Sequence, residues 1–167
     1  MQPKLDHLWA PWRETYITAA KPPAGDDRCF ICAGCAERED RKHLIALRTL
    51  RSVVVLNRFP YNNGHLLVAP LAHKGRLDEL DRDEILETQE TLRRMVAVLD
   101  DLMHPDGYNV GLNLGRVAGA GLPGHLHWHL VPRWNGDTNF MPVLGGTKVI
   151  SQSLEALYDL LVESVRG

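Results

Sequence analysis

Residues 125–133 read His125-Leu126-His127-Trp128-His129-Leu130-Val131-Pro132-Arg133, the clearest strand pattern in the chain. Three histidines alternate with Leu126, Trp128 and Leu130, the period of a strand whose successive side chains face opposite sides of a sheet. All three imidazoles then share one face, about 6–7 Å apart from two rises of roughly 3.3 Å each. That is too far for neighbouring rings to hydrogen-bond directly. It suits groups that touch successive parts of one extended ligand, or that divide between a metal and a reaction.

Upstream, residues 116–124 form a loop with glycine at 119, 121 and 124, delivering the chain into this strand. Residues 108–115 alternate as well: Tyr108, Val110, Leu112 and Leu114 make one face, and Asn109, Gly111, Asn113 and Gly115 the other. The second face is polar and bare, so a ligand can approach the backbone there. Residues 78–103 predict one long helix, with Ile85, Leu92, Met95, Val96, Leu99 and Leu102 at helical spacing and Pro105 and Gly107 ending it. Its charged residues Glu79, Asp83, Glu87, Glu90, Arg93 and Arg94 read as a solvated face. Residues 51–57 and 65–69 read as an antiparallel hairpin around the turn Tyr61-Asn62-Asn63-Gly64, the second strand stopped by Pro70. A C-terminal helix starts near Ser151 or Ser153, with Leu154, Leu157, Leu161 and Val165 as its stripe. Hairpin strands with segregated helices indicate an α+β fold: an antiparallel sheet of about five strands with one long and one C-terminal helix. The chain divides into an arm over 1–27, a catalytic domain over 28–138 and an extension over 139–167.

The composition narrows the class. At 167 residues one domain with a real core is expected. A net charge of −2 gives no electrostatic case for duplex nucleic acid or a membrane surface. No apolar run approaches the roughly 20 residues of a membrane span, and the first residues lack a signal-peptide apolar stretch. The three cysteines cluster as Cys29, Cys32 and Cys35. With no secretion signal, a metal-type cluster in a cytoplasmic protein is expected over a disulfide framework. A thioredoxin-like reading of Cys29-Phe30-Ile31-Cys32 lacks the surrounding βαβ pattern.

Three readings of the histidine row compete. Structural or solvated histidines suit a single residue better than three on one face beside a glycine-rich loop. A metal held by all three is excluded by spacing, since zinc binds imidazole at about 2.0–2.1 Å and a straight strand spreads them too widely. Nucleophilic chemistry on phosphorus fits, because a neutral imidazole is competent near pH 7. His7, His43 and His104 lie outside these patterns and read as solvated. Trp128 points to the core; Trp134 is open to stacking on a base, closing a dimer or packing in the core.

His-x-His-x-His followed by two apolar residues resembles the signature of the histidine triad family of nucleotidyl hydrolases and transferases. The hairpin Leu56-Asn57-Arg58-Phe59-Pro60-Tyr61-Asn62-Asn63-Gly64-His65 and the strand Gly107–Gly115 also resemble that family. The flanks Leu8–Arg13 and Trp134–Phe140 look most like its bacterial diadenosine tetraphosphate phosphorylase branch. The resemblance implies that His127 attacks the α-phosphorus of an adenosine nucleotide and carries a transient adenylyl group. It implies that His129 works at the phosphates or bridging oxygen and that Asn57 meets the ribose. Asn113 and the loop Gly119–Gly124 would face phosphate, and His65 would support the site. Many members carry Gln, Ser or Thr where this chain has Gly121, which leaves that loop only backbone N–H groups for phosphate. The expected reaction is cleavage of a dinucleoside polyphosphate by phosphorolysis or hydrolysis. The alternatives are a nucleoside phosphoramidase or other adenylyl hydrolase, and a non-catalytic nucleotide-binding module. The family's zinc-bearing members also imply a structural Zn2+ on Cys29, Cys32, His73 and His125, with Cys35 a substitute or a bystander. A homodimer with joined sheets is expected on the same resemblance.

Overall fold

The computed structural model describes residues 29–145 and 149–166; the expected arm over 1–27 lies outside the described residues. Two short helices open the described chain, α1 (Phe30–Glu37) and α2 (Asp40–His43). They lead into β1 (Ile45–Arg48), β2 (Ser52–Leu56) and β3 (Leu66–Pro70). After a 3-10 turn over Leu77–Glu79 comes the long helix α3 (Arg82–Met103). Then follow β4 (Gly107–Leu112), β5 (Trp128–Arg133), the short α4 (Met141–Gly145) and the C-terminal α5 (Leu154–Arg166). The five strands form one antiparallel sheet in the order β1-β2-β3-β5-β4. The α+β architecture follows the expectation from sequence.

The alternation at 125–130 decides which face is core. Leu126, Trp128 and Leu130 are buried with Val54, Leu56, Leu66 and Val68 of the sheet. Against them pack Leu92, Met95 and Leu99 of α3 and Leu157, Tyr158 and Leu161 of α5. Each such side chain contributes about 1.5–3 kcal/mol on leaving water. The opposite face carries Val53, Val55, Leu67 and Ala69, buried under Cys29 and Ile31 at the start of α1 with Leu71 and Leu122 beside them. His129 stands on this second face, paired in register with Leu67 of β3 and Gly111 of β4.

Local details depart from the sequence reading. The helix begins at Arg82, not 78, because Asp81 caps it: its carboxylate accepts from Glu84 N, and Glu84 accepts from Asp81 N, each at 2.8 Å. Its buried face is Glu84, Thr88, Thr91, Leu92, Met95 and Leu99, whereas Ile85 is exposed. Polar residues take the core side because each is satisfied there. Glu84 pairs with Lys74 at 2.6 Å, Thr88 donates to Glu84 O at 2.6 Å, and Thr91 bonds Ser52 at 2.8 Å. Glu87 is not merely solvated: it accepts from Arg51 N and Thr49 Oγ1, each at 2.5 Å. The β4 strand stops at Leu112, so Asn113 and Leu114 fall in the loop that follows. Ser153 rather than Ser151 caps α5, its Oγ accepting from Ala156 N at 3.2 Å. Gly64, at φ +76°, is required by its turn; a Cβ there would meet Met103 Sδ at 2.8 Å. No helix among the described residues is long and apolar enough to cross a membrane.

Candidate functional site

Two sites meet on this second face, and the segment 125–129 runs from one to the other. The hydrogen-bonded ladder of β5 begins at Trp128, so His125 and His127 lie just before it. Leu126 N donates to Lys74 O at 2.7 Å, which fixes the segment between them against the chain that carries His73. Gly75 closes the same contact, since a Cβ there would meet Pro123 O at 2.8 Å.

The first site is a Cys/His cluster. Cys29 is the N-cap of α1, and Cys32 lies in its first turn, so both sulfurs project from one helix end. Arg48 braces this helix from β1, donating to Cys35 O at 3.1 Å, to Gly34 O at 3.0 Å and to Asp40 at 2.9 Å. His125 Nδ1 lies 3.1 Å from Cys29 Sγ and 3.4 Å from Cys32 Sγ, and His73 Nδ1 lies 3.3 Å from Cys32 Sγ. All four ligand atoms fall within 4.8 Å of one another. Tetrahedral zinc with S and N ligands at its usual distances requires ligand–ligand edges of roughly 3.3–3.8 Å, so the donor set fits such an ion. The His125 tautomer fits too: its Nε2–H donates to Pro70 O at 2.8 Å, leaving the Nδ1 lone pair toward the sulfurs. Without a counter-charge, burial and the adjacent Cys29 push the Cys32 thiol up to about 11. Cys35 stands outside the cluster.

The second site is built on His127 and His129, whose rings meet edge-on with centroids 5.1 Å apart. His127 is buried, and its Nδ1–H donates to His125 O at 2.8 Å. A carbonyl can only accept, so Nδ1 carries the proton and Nε2 keeps its lone pair. Burial lowers the His127 pKa against the opposing pull of that hydrogen bond, which keeps the ring neutral. The turn histidine, His65, is fully buried against His129, with ring centroids 5.1 Å apart. Its Nδ1 accepts from Tyr61 N at 3.0 Å and from Asn57 Nδ2 at 3.2 Å. Its proton is therefore on Nε2, which donates to His129 Nδ1 at 2.9 Å. His129 is thus left with its proton on Nε2, a buried atom with no hydrogen-bond partner among the described residues. Burial, reinforced by the neighbouring His127, pushes His129 down to about 4, so it is a neutral donor near pH 7. One free lone pair and one free N–H project from adjacent rings. Such a pair can attack an electrophile while donating to the group that departs.

The other expected site residues are placed as follows. Asn57 holds its turn at both ends, donating to His65 and accepting from Phe59 N at 3.0 Å. Asn113 Nδ2 lies 3.5 Å from Gly119 O, so it supports the glycine-rich loop. Gly119, at φ +90°, suits that turn, and a side chain at Gly121 would meet nothing within 4 Å. Tyr61 was missed in sequence: half-exposed, it stacks on His129 at 5.5 Å between centroids. His43 was expected to be solvated but is half-buried, with Nε2 2.8 Å from Glu37. Trp134 resolves toward packing: it is half-buried, with its indole N–H donating to Met103 O at 3.3 Å.

An antiparallel five-stranded sheet with a histidine relay at the start of β5 beside a Cys/His cluster defines a histidine triad fold. Residues 38–136 match the HIT domain model, and the chain belongs to the HIT family. It is 37% identical over 162 residues to an AP-4-A phosphorylase of Mycobacterium tuberculosis, covering 95% of this chain and 83% of that one. A hypothetical histidine triad nucleotide-binding protein of Sulfolobus tokodaii superposes with a TM-score of 0.67 at 25% identity, covering 83% of this chain and 92% of that one. A Zn-bound histidine triad family protein of Mycobacterium smegmatis gives the same TM-score at 23% identity, over 85% of this chain and 96% of that one.

Proposed function

We propose that this protein is a nucleotidyl hydrolase or transferase that cleaves a dinucleoside polyphosphate such as diadenosine tetraphosphate. The observation that carries the proposal is the 2.8 Å hydrogen bond from His127 Nδ1–H to His125 O, which leaves Nε2 as a buried, neutral nucleophile. His127 Nε2 attacks the α-phosphorus, the phosphorus–oxygen bond to the leaving phosphate breaks, and an adenylyl-histidine forms. His129 Nε2–H donates to the bridging oxygen as charge develops there. Inorganic phosphate or water then attacks the intermediate and releases ADP or AMP. Splitting one displacement into two lowers each barrier. Similarity to the mycobacterial AP-4-A phosphorylase across nearly the whole chain supports this substrate class.

Within this reading, Asn57 meets the ribose and His65 orients His129. Asn113, Gly119 and Gly121 border the phosphates. The catalytic unit spans 28–138, flanked by the arm and the extension from 139. Cys29, Cys32, His73 and His125 hold a structural Zn2+, which when bound supplies fixed geometry rather than a reacting group. The protein is a cytoplasmic homodimer with joined sheets: β4 lies at the sheet edge, and its Val110 is 54% exposed.

Product analysis tests the activity. With diadenosine tetraphosphate, ATP plus ADP formed only when inorganic phosphate is present means phosphorolysis; ATP plus AMP without it means hydrolysis. AMP binding without any turnover would instead identify a nucleotide-binding module.

A further inference from the structure

A recess of about 770 Å3 opens on the same sheet face as the histidines, one step further along β5. Its floor is Val131, Asn109 and Arg133, and its walls include Tyr61, Asp137 and Thr138. The strand register sets its position. His129 faces Gly111, the next pair is Val131 with Asn109, and the last is Arg133 with Gly107. Val131 is therefore about 6–7 Å beyond His129. Gly111 is bare, and a Cβ there would meet nothing within 4 Å, so no side chain at that position stands between histidines and recess. Tyr61 is shared by both, stacking on His129 while lining the recess.

We propose that this recess is the subsite for the second nucleoside of a dinucleoside polyphosphate, the half that leaves when the chain is cut at His127. The assignment rests on the reading of function above and says where the leaving half lies.

Charge decides between phosphate and nucleoside. Among the described residues Arg133 is the only cation lining the recess, and each of its three nitrogens already makes a bond within the protein. Nε and Nη2 bond Asp137 at 2.6 and 2.9 Å, and Nη1 bonds Asn109 Oδ1 at 2.7 Å. Asp137 also accepts from Asn62 Nδ2 at 2.8 Å. A polyphosphate would meet the Asp137 carboxylate beside a guanidinium whose charge that carboxylate already offsets. A neutral, flat, hydrogen-bonding group meets the Tyr61 ring, the apolar Val131 and the amide nitrogens of Asn109 and Asn139, which have no partner among the described residues. The volume is in the range that takes a small organic ligand. Specificity for a second nucleoside then lies in this recess, apart from the triad and Asn57.

Adenosine 5′-tetraphosphate carries the same phosphate chain as diadenosine tetraphosphate and lacks the second nucleoside. The test compares kcat/KM for the two in the wild type and in Thr138→Trp, which fills the recess from an exposed loop position. The expected result is a preference for the dinucleoside that falls about tenfold or more in the variant, the scale of losing apolar contact in a pocket. A ratio unchanged by Thr138→Trp overturns the subsite while leaving the proposed activity standing. Absence of cleavage of either compound by the wild type overturns that activity and the subsite with it.

Discussion

His65 Nε2 lies 2.9 Å from His129 Nδ1. Because Tyr61 N and Asn57 Nδ2 both donate to the other nitrogen of His65, this contact has one polarity only. It sets the His129 proton on the nitrogen that faces the reaction. His65→Phe removes the donor and frees His129 to adopt either tautomer. We expect kcat to fall about 10–100-fold, as for loss of an orienting partner, with KM much less affected. Steady-state kinetics check this; equal losses in kcat and in nucleotide affinity would assign His65 to binding instead.

His127→Ala should abolish turnover and leave AMP binding within a few-fold of wild type, measured by calorimetry. Rapid quenching of the wild type with radiolabelled substrate should trap label on protein, and the variant should trap none. Turnover retained by the variant would remove His127 as the nucleophile.

Burial holds His129 at about 4 in the folded protein, against 6.5 for an ordinary histidine. Between these values the unfolded chain binds more protons than the folded one, so stability rises with pH. The contribution is complete above pH 6.5 and is lost as pH falls toward 4. In His129→Gln this part of the slope disappears. Urea denaturation from pH 4 to 7 should show a flatter profile than wild type; parallel profiles would contradict the assigned burial.

Elemental analysis of protein purified without chelator should find about one zinc per chain. Removing it should lower Tm by at least about 5 °C, since a structural metal contributes folding free energy directly. His73→Ala should reproduce the loss. Protein free of zinc with unchanged Tm would dismiss the metal.

Val110→Asp places a charge on the outer edge of β4, where strand pairing between copies would exclude it. Light scattering should report a dimer for wild type and a monomer for the variant. A variant that remains dimeric would move the interface elsewhere.

Much of this was legible in sequence because it is periodic or chemically marked. The alternation at 125–130 placed Leu126, Trp128 and Leu130 in the core, and the hairpin around Gly64 announced itself by its turn residues. Three things were not legible. The strand β1 and helices α1 and α2 are too short for a periodic signal and are held by Arg48, a long-range contact. The polar core face of α3 depends on Lys74 and Ser52 arriving from elsewhere in the fold. The histidine relay depends on the register of β3 with β5, which brings His65 to His129 across 64 residues.

The residue whose carbonyl accepts the hydrogen bond from His127 Nδ1–H is His125, whose own ring nitrogen faces the two sulfurs. One residue thus serves two masters, the side chain answering to the cluster and the carbonyl to the attacking ring. A change at Cys29 or Cys32 that tilts His125 by a few degrees re-aims a lone pair that neither cysteine touches. Such variants would look like failures of chemistry in an assay while every reacting group was intact. Evolution cannot easily revise the cluster and the nucleophile one at a time.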